Sequence, residues 1–222
     1  MLDHLFTFQN ILWLMVLFPG SSIIVYIVLE LMHKLKRQKS IFSRQEYMYY
    51  WVYRATFSFF IGACFYLFLY HISFVKFEIS GYDLLLQVIL LYLSFDFFIS
   101  TFHQASHKYF NYKALHDLHH GRYNLHWVNS SKESWLFEVV IVLVYSFLIY
   151  IFSLSAQVFA LVFIFWKIML ALTHYSYPFS YGIFDFIFVS SKHHKEHHSS
   201  NHGHSYGVTL SILDKIQQAF KK

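Results

Sequence analysis

The sequence predicts an all-α integral membrane protein: about five transmembrane helices (four to six) carrying a histidine-rich dimetal cap on the cytoplasmic side. Three observations predict it. Of 222 residues, 57% are hydrophobic and 23% aromatic, with only 2 prolines and 7 glycines; a soluble domain of this length has no use for so much apolar surface. Five stretches are apolar over about 20 residues, the length that crosses a bilayer at about 1.5 Å of rise each. The third observation is 16 histidines, of which 13 fall between His103 and His204.

The expected spans are 8–32, 55–75, 83–102, 135–152 and 156–174. The first carries Pro19-Gly20 near its middle, where a kink or break is expected. Asp3 and His4 stand where a signal peptide would be basic, and the first basic residue is Lys34, so the stretch reads as a retained span. Only Ser153-Leu154-Ser155 separates the last two, which predicts a tight helical hairpin. The run 178–190 is too short to span and reads as an interfacial segment lying on the bilayer. The single cysteine, Cys64, excludes an intrachain disulfide and a Cys-based metal site. Neither repeats nor a linker divide the chain, so 1–222 is read as one membrane-embedded domain.

The basic residues orient these spans. The segments 33–54, 103–134 and 175–222 lie on one side of a five-span chain and hold 15 of its 17 Lys and Arg residues. Cytoplasmic loops are enriched in such residues, so all 13 clustered histidines are placed in the cytoplasm, at a bacterial inner membrane or the endoplasmic reticulum. The net charge of +5 is thus the flank of membrane spans, and no nucleic-acid partner is expected.

The chemistry rests on three spacings. His103 and His107 are four apart on the extension of the third span, hence on one helix face. His116, His119 and His120 follow an i, i+3, i+4 pattern, and His194, His197 and His198 repeat it, preceded by His193. Adjacent helical residues diverge by about 100°, so neighbours such as His119 and His120 can serve two metals side by side. With His174 at the end of the fifth span there are nine imidazoles, too many for one metal and suited to two at four or five each. Imidazole ligands admit zinc, copper, iron or nickel, so the metal stays open on these grounds.

These residues resemble the fatty acid hydroxylase/sterol desaturase superfamily of membrane di-iron enzymes over about residues 85–220. Asp96 stands seven before His103, as in that family's Asp-x6-His-x3-His signature, and His116-Asp117-Leu118-His119-His120 is similar to its second box. Thr173-His174-Tyr175-Ser176 and Val189-Ser190-Ser191-Lys192-His193-His194-Lys195-Glu196-His197-His198-Ser199 resemble its third region, and Tyr206-Gly207-Val208 with Asp214-Lys215 its ending. The chain departs at Ser205 for the usual Asn, at Leu213 for the usual Trp, and at Lys132-Glu133-Ser134-Trp135, which lacks an Arg-x-His-Pro pattern. The resemblance implies two irons, with zinc as a substituting metal, held by His103, His107, His116, His119, His120, His174, His194, His197 and His198. It further implies oxygen-dependent hydroxylation or desaturation of a membrane lipid, such as a fatty acyl chain or sterol. Electrons would come from an external cytochrome b5-like or ferredoxin-like donor.

Other residues carry weaker expectations. His126, His193, His202 and His204 are outer partners or extra ligands, whereas His4, His33 and His71 are isolated and read as interfacial. Asp96 and Lys167 lie inside spans, where a charge needs a partner; the expectation is an Asp96–Lys167 pair or a hydrogen bond from His103 to Asp96. Two rival functions remain. His193-x-x-Glu196-His197 matches an inverted zinc-peptidase motif, although Asp214 is the only acid downstream of it. A metal transporter or sensor would instead place its ligands near the midplane of the spans.

Overall fold

The computed structural model describes residues 83–109, 134–154, 156–175, 177–199 and 205–220, together with His116, His119, His120 and isolated positions between Ile27 and His71. The expected spans 8–32 and 55–75 fall almost wholly outside them. Within them lie five α-helices: α1 (Leu84–Lys108), α2 (Trp135–Ile151), α3 (Ala156–Thr173), α4 (Ser191–Ser199) and α5 (Ile212–Phe220). A 3-10 turn spans Gly182–Phe186. Among the described residues β structure is limited to an isolated antiparallel bridge between Phe188 and Leu210.

Local chemistry sets these boundaries. α1 has neither Pro nor Gly over 25 residues, and Asp83 caps it by accepting the Leu85 amide at 2.7 Å. It runs on past residue 102, so His103 and His107 belong to the same rigid rod as the apolar stretch. Ser134 caps α2 through the Phe137 amide at 3.2 Å. α2 closes where Ser153 turns left-handed at φ 50 and the Leu154 amide returns to the Ile149 carbonyl at 3.1 Å. α1 is the one described helix long and apolar enough to cross a membrane, while Leu136–Ile151 and Leu161–Thr173 are shorter apolar helices. The expected interfacial run 178–190 is irregular around its 3-10 turn, with Ile183, Phe184 and Phe186 exposed.

The chain divides into two compact units, Met1–Leu93 with Glu138–Lys167, and Ser94–Phe137 with Ile168–Lys222. The first has an aromatic-rich core that includes Tyr145, Val158, Val162 and Trp166. There the Tyr145 hydroxyl donates to the Phe159 carbonyl at 2.8 Å, joining α2 to α3 across the short turn. Lys167 lies 5.2 Å from the Trp166 ring and 5.4 Å from that of Phe163, a cation–π setting for its charge. The second unit is different in kind. Beside Phe95, Ile99 and Leu170 it buries Asp96, Ser100, His103, His116, His119, His174, His194, His197, Thr209 and Asp214. Buried polar groups on this scale need partners, and they find them in one another.

Candidate metal centre

All nine histidines expected as ligands, eight from spacing and His174 from its place at a helix end, lie in the second unit, in two groups. His103, His107, His116, His120 and His197 form one; His119, His174, His194 and His198 form the other. Within each group the ligand-capable nitrogens lie within 4.8 Å of one another. α1 supplies His103 and His107 from one face, and α4 supplies His194 and His198 to one group and His197 to the other. His119 and His120 divide likewise.

The contacts run Nε2 to Nε2. His107 approaches His103 at 3.1 Å, and His120 approaches both His107 and His116 at 3.1 Å. In the second group His174 meets His119 at 2.9 Å and His194 at 2.8 Å, and His198 meets His194 at 3.0 Å. A neutral imidazole has one N–H, so a nitrogen facing two others cannot satisfy both by hydrogen bonding. A shared cation resolves the conflict. Nitrogens bound at about 2.1 Å and about 90° apart stand about 3.0 Å from each other, which is the spacing found here. The donor set therefore fits two transition-metal ions, one with five imidazoles and one with four.

Two rings show how the lone pairs are aimed. His103 donates Nδ1–H to the Tyr206 carbonyl at 2.9 Å, and His174 donates Nδ1–H to the Leu170 carbonyl at 2.9 Å. A carbonyl only accepts, so the proton is on Nδ1 and the Nε2 lone pair faces the group. Burial first, and repulsion between neighbouring imidazoles second, holds His116, His119 and His194 well below the ordinary imidazole range. The same causes bring His198 to about 2. These rings are neutral at physiological pH, the state a metal requires.

Some expectations are redirected. Asp96 bonds neither Lys167 nor His103: its carboxylate accepts from Ser100, from the Thr209 amide and hydroxyl, and from the Leu210 amide. A buried carboxylate needs several donors, and a nearby stretch of backbone supplies them without a second buried charge. His193 stands outside both groups, with Nε2 3.7 Å from Asp214. His71 is exposed, while His4, His33, His126, His202 and His204 lie outside the described residues. The inverted peptidase motif does not converge: His193 faces Asp214, Glu196 is exposed, and His197 joins the five-histidine group. Asp214 is spent on the Tyr206 and Gly207 amides. Spacing did not single out Tyr206, Ser100 or Thr209; the Tyr206-Gly207-Val208 ending was the one signal that pointed toward this segment.

Fold and site thus define a helical protein with a largely buried pair of polyhistidine groups suited to holding metal. Residues 88–219, more than half of the chain, match the fatty acid hydroxylase family, and the chain belongs to it. No curated protein and no solved structure matches it.

Proposed function

We propose that this chain is a multi-pass membrane oxidoreductase that hydroxylates or desaturates a lipid, such as a fatty acyl chain or sterol, at a di-iron centre on the cytoplasmic face. The observation that carries the reading is the division of nine imidazoles, six of them buried, into groups of five and four, in a chain of the fatty acid hydroxylase family. Two bound irons supply the activation of O₂ that an unactivated C–H bond demands. The protein's own part is to hold nine rings in fixed orientation and to keep the centre from water: His103, His116, His119, His174, His194 and His197 are all buried. α1 supports the membrane assignment, since Leu84, Leu85, Leu86, Ile89, Phe97 and Phe98 are exposed on a helix of spanning length. We take 1–222 as one embedded domain with about five spans.

Hydroxylation consumes two electrons and two protons per O₂, releasing one oxygen atom as water. An external cytochrome b5-like or ferredoxin-like protein is the proposed donor, docking on the basic cytoplasmic surface. The test joins metal analysis to lipid profiling. The purified chain is expected to carry two irons, and cells expressing His119→Ala are expected to share the altered lipid profile of a deletion strain. Profiles in both strains identical to wild type would overturn the lipid reading. One tightly bound zinc per chain would favour a peptidase, and loosely exchanging metal a transporter.

A further inference from the structure

Five consecutive backbone amides, Tyr206 to Leu210, are held by side chains in place of helix or sheet partners. Asp214 accepts the Tyr206 amide at 2.6 Å and the Gly207 amide at 3.1 Å. Ser100 Oγ accepts the Val208 amide at 3.0 Å and donates to Asp96 at 3.2 Å. Asp96 Oδ1 accepts the Thr209 amide at 3.1 Å and its hydroxyl at 2.5 Å, and Oδ2 accepts the Leu210 amide at 3.2 Å. Both carboxylates are almost wholly buried, at 2% and 3% exposure. So much buried charge spent on one segment fixes it in place, because each lost acceptor would strand a buried amide.

What the segment presents to the site is the Tyr206 carbonyl, bonded to His103 Nδ1–H. The Tyr206 ring likewise stands 5.4 Å from that of His107, 5.9 Å from that of His197 and 6.4 Å from that of His103. All three belong to the five-histidine group. Asp96, Ser100, His103 and His107 recur at steps of four, three and four along α1, so one helix face carries both the clamp and the ligands it orients.

We propose that Asp96 and Asp214 are positioning residues for one metal of the two, acting through the Tyr206 carbonyl on His103. This rests on reading the histidine groups as metal sites. A group that orients a ligand from behind typically changes metal affinity 10- to 100-fold when removed. Here the loss should fall on the five-histidine site and spare the other.

The test titrates the full-length metal-free chain in detergent with Co²⁺, following the visible d–d bands and competition with a chelator. Wild type is expected to bind two ions. Asp214→Asn, which leaves one acceptor oxygen for two amides, should weaken one site about 10- to 100-fold and alter its band, with the other site within about two-fold. The affected site is assigned in two backgrounds. With His174→Ala and His198→Ala together the tighter ion sits in the five-histidine group, and Asp214→Asn should weaken it; with His107→Ala and His120→Ala together the tighter ion sits in the four-histidine group and should be unmoved. Ser100→Ala removes the Val208 acceptor and one donor to Asp96 but leaves both carboxylates in place, so it gives a milder, equally one-sided loss and serves if Asp214→Asn does not fold. Equal weakening of both sites, or of neither, overturns the clamp. A wild type that binds fewer than two ions overturns the metal reading itself.

Discussion

Gly207 offers the most stringent check on how tightly this segment is held. A β-carbon there would overlap the Leu210 carbonyl oxygen and press on Asp214 Oδ2 at 3.0 Å and Val189 Cγ2 at 3.1 Å. Relief requires the Leu210 carbonyl to retreat by about 1 Å to ordinary contact distance. It has little room to do so. The Leu210 amide is bonded to Asp96, the Val189 amide donates to the Thr209 carbonyl at 2.9 Å, and the Ser211 amide donates to the Ile187 carbonyl at 2.9 Å. Overpacking a tight site costs about 1–3 kcal/mol. A single buried hydrogen bond broken in the adjustment adds about 1–3 kcal/mol. Together Gly207→Ala is expected to destabilise by about 2–6 kcal/mol, lowering the melting temperature by on the order of 10 °C for a chain of this size. Loss of unfolded-chain entropy works the other way, favouring alanine by about 0.4–1 kcal/mol, and does not reverse the sign. Thermal unfolding in detergent reads the shift, and metal content per chain reads its reach to His103. A variant that melts within about 1 °C of wild type, with its full metal complement, would show that the segment yields freely and refute the reasoning.

Three further outcomes are expected. His119→Ala and His120→Ala should each weaken one metal, but different ones: the first leaves three imidazoles in the four-histidine group and the second four in the five-histidine group, and identical Co²⁺ bands in the two variants would count against the division into groups. Glu196→Gln should keep both metals and wild-type lipid product, because Glu196 lies exposed on α4; loss of activity with metal retained would revive the peptidase reading. Ser205 is left-handed at φ 73, a conformation costing a residue with a β-carbon about 1–2 kcal/mol and eased for asparagine. Ser205→Asn should therefore raise stability by about 0.5–1 kcal/mol in thermal unfolding, and a fall would mean that the serine side chain makes a contact asparagine cannot replace.

The helix faces were legible in the sequence and the distant partners were not. Spacing at i and i+4 puts His103 with His107 and His194 with His198 whatever the tertiary fold, since the period of the helix alone decides it. The apolar stretches 135–152 and 156–174 end within one residue of Ile151 and Thr173, where their helices end, because apolar composition and the short Ser153-Leu154-Ser155 break leave few alternatives. Asp96 shows where such reasoning stops. A carboxylate within an apolar helix demanded a partner, and lysine looked like the natural one. Besides Ser100 one helical turn on, its partners are the Thr209 amide and hydroxyl and the Leu210 amide, 113 and 114 residues away. Every residue but proline carries that donor, so no residue type marks it in advance. The Tyr206 carbonyl escaped for the same reason: it bonds His103 across 103 residues with an atom common to every residue.

The two histidine triplets give the strongest internal reason to read the cluster as a pair of sites. In each, the first and last members, four apart, go to one group and the middle member to the other: His116 and His120 against His119, and His194 and His198 against His197. The assignments are complementary. His197 joins the pair from the other triplet in the five-histidine group, while His119 joins His194 and His198 in the four-histidine group. Each triplet therefore reaches into both groups, and the adjacent doublets follow from the roughly 100° by which neighbouring helical residues diverge. A lone metal would use the middle member of one triplet with the outer pair of the other, and would leave the complementary three rings outside its reach. His119 and His197 are both buried, at 5% and 2% exposure, where a polar ring needs partners. Two adjacent cations, sharing helices but not ligands, give every one of the nine rings a use.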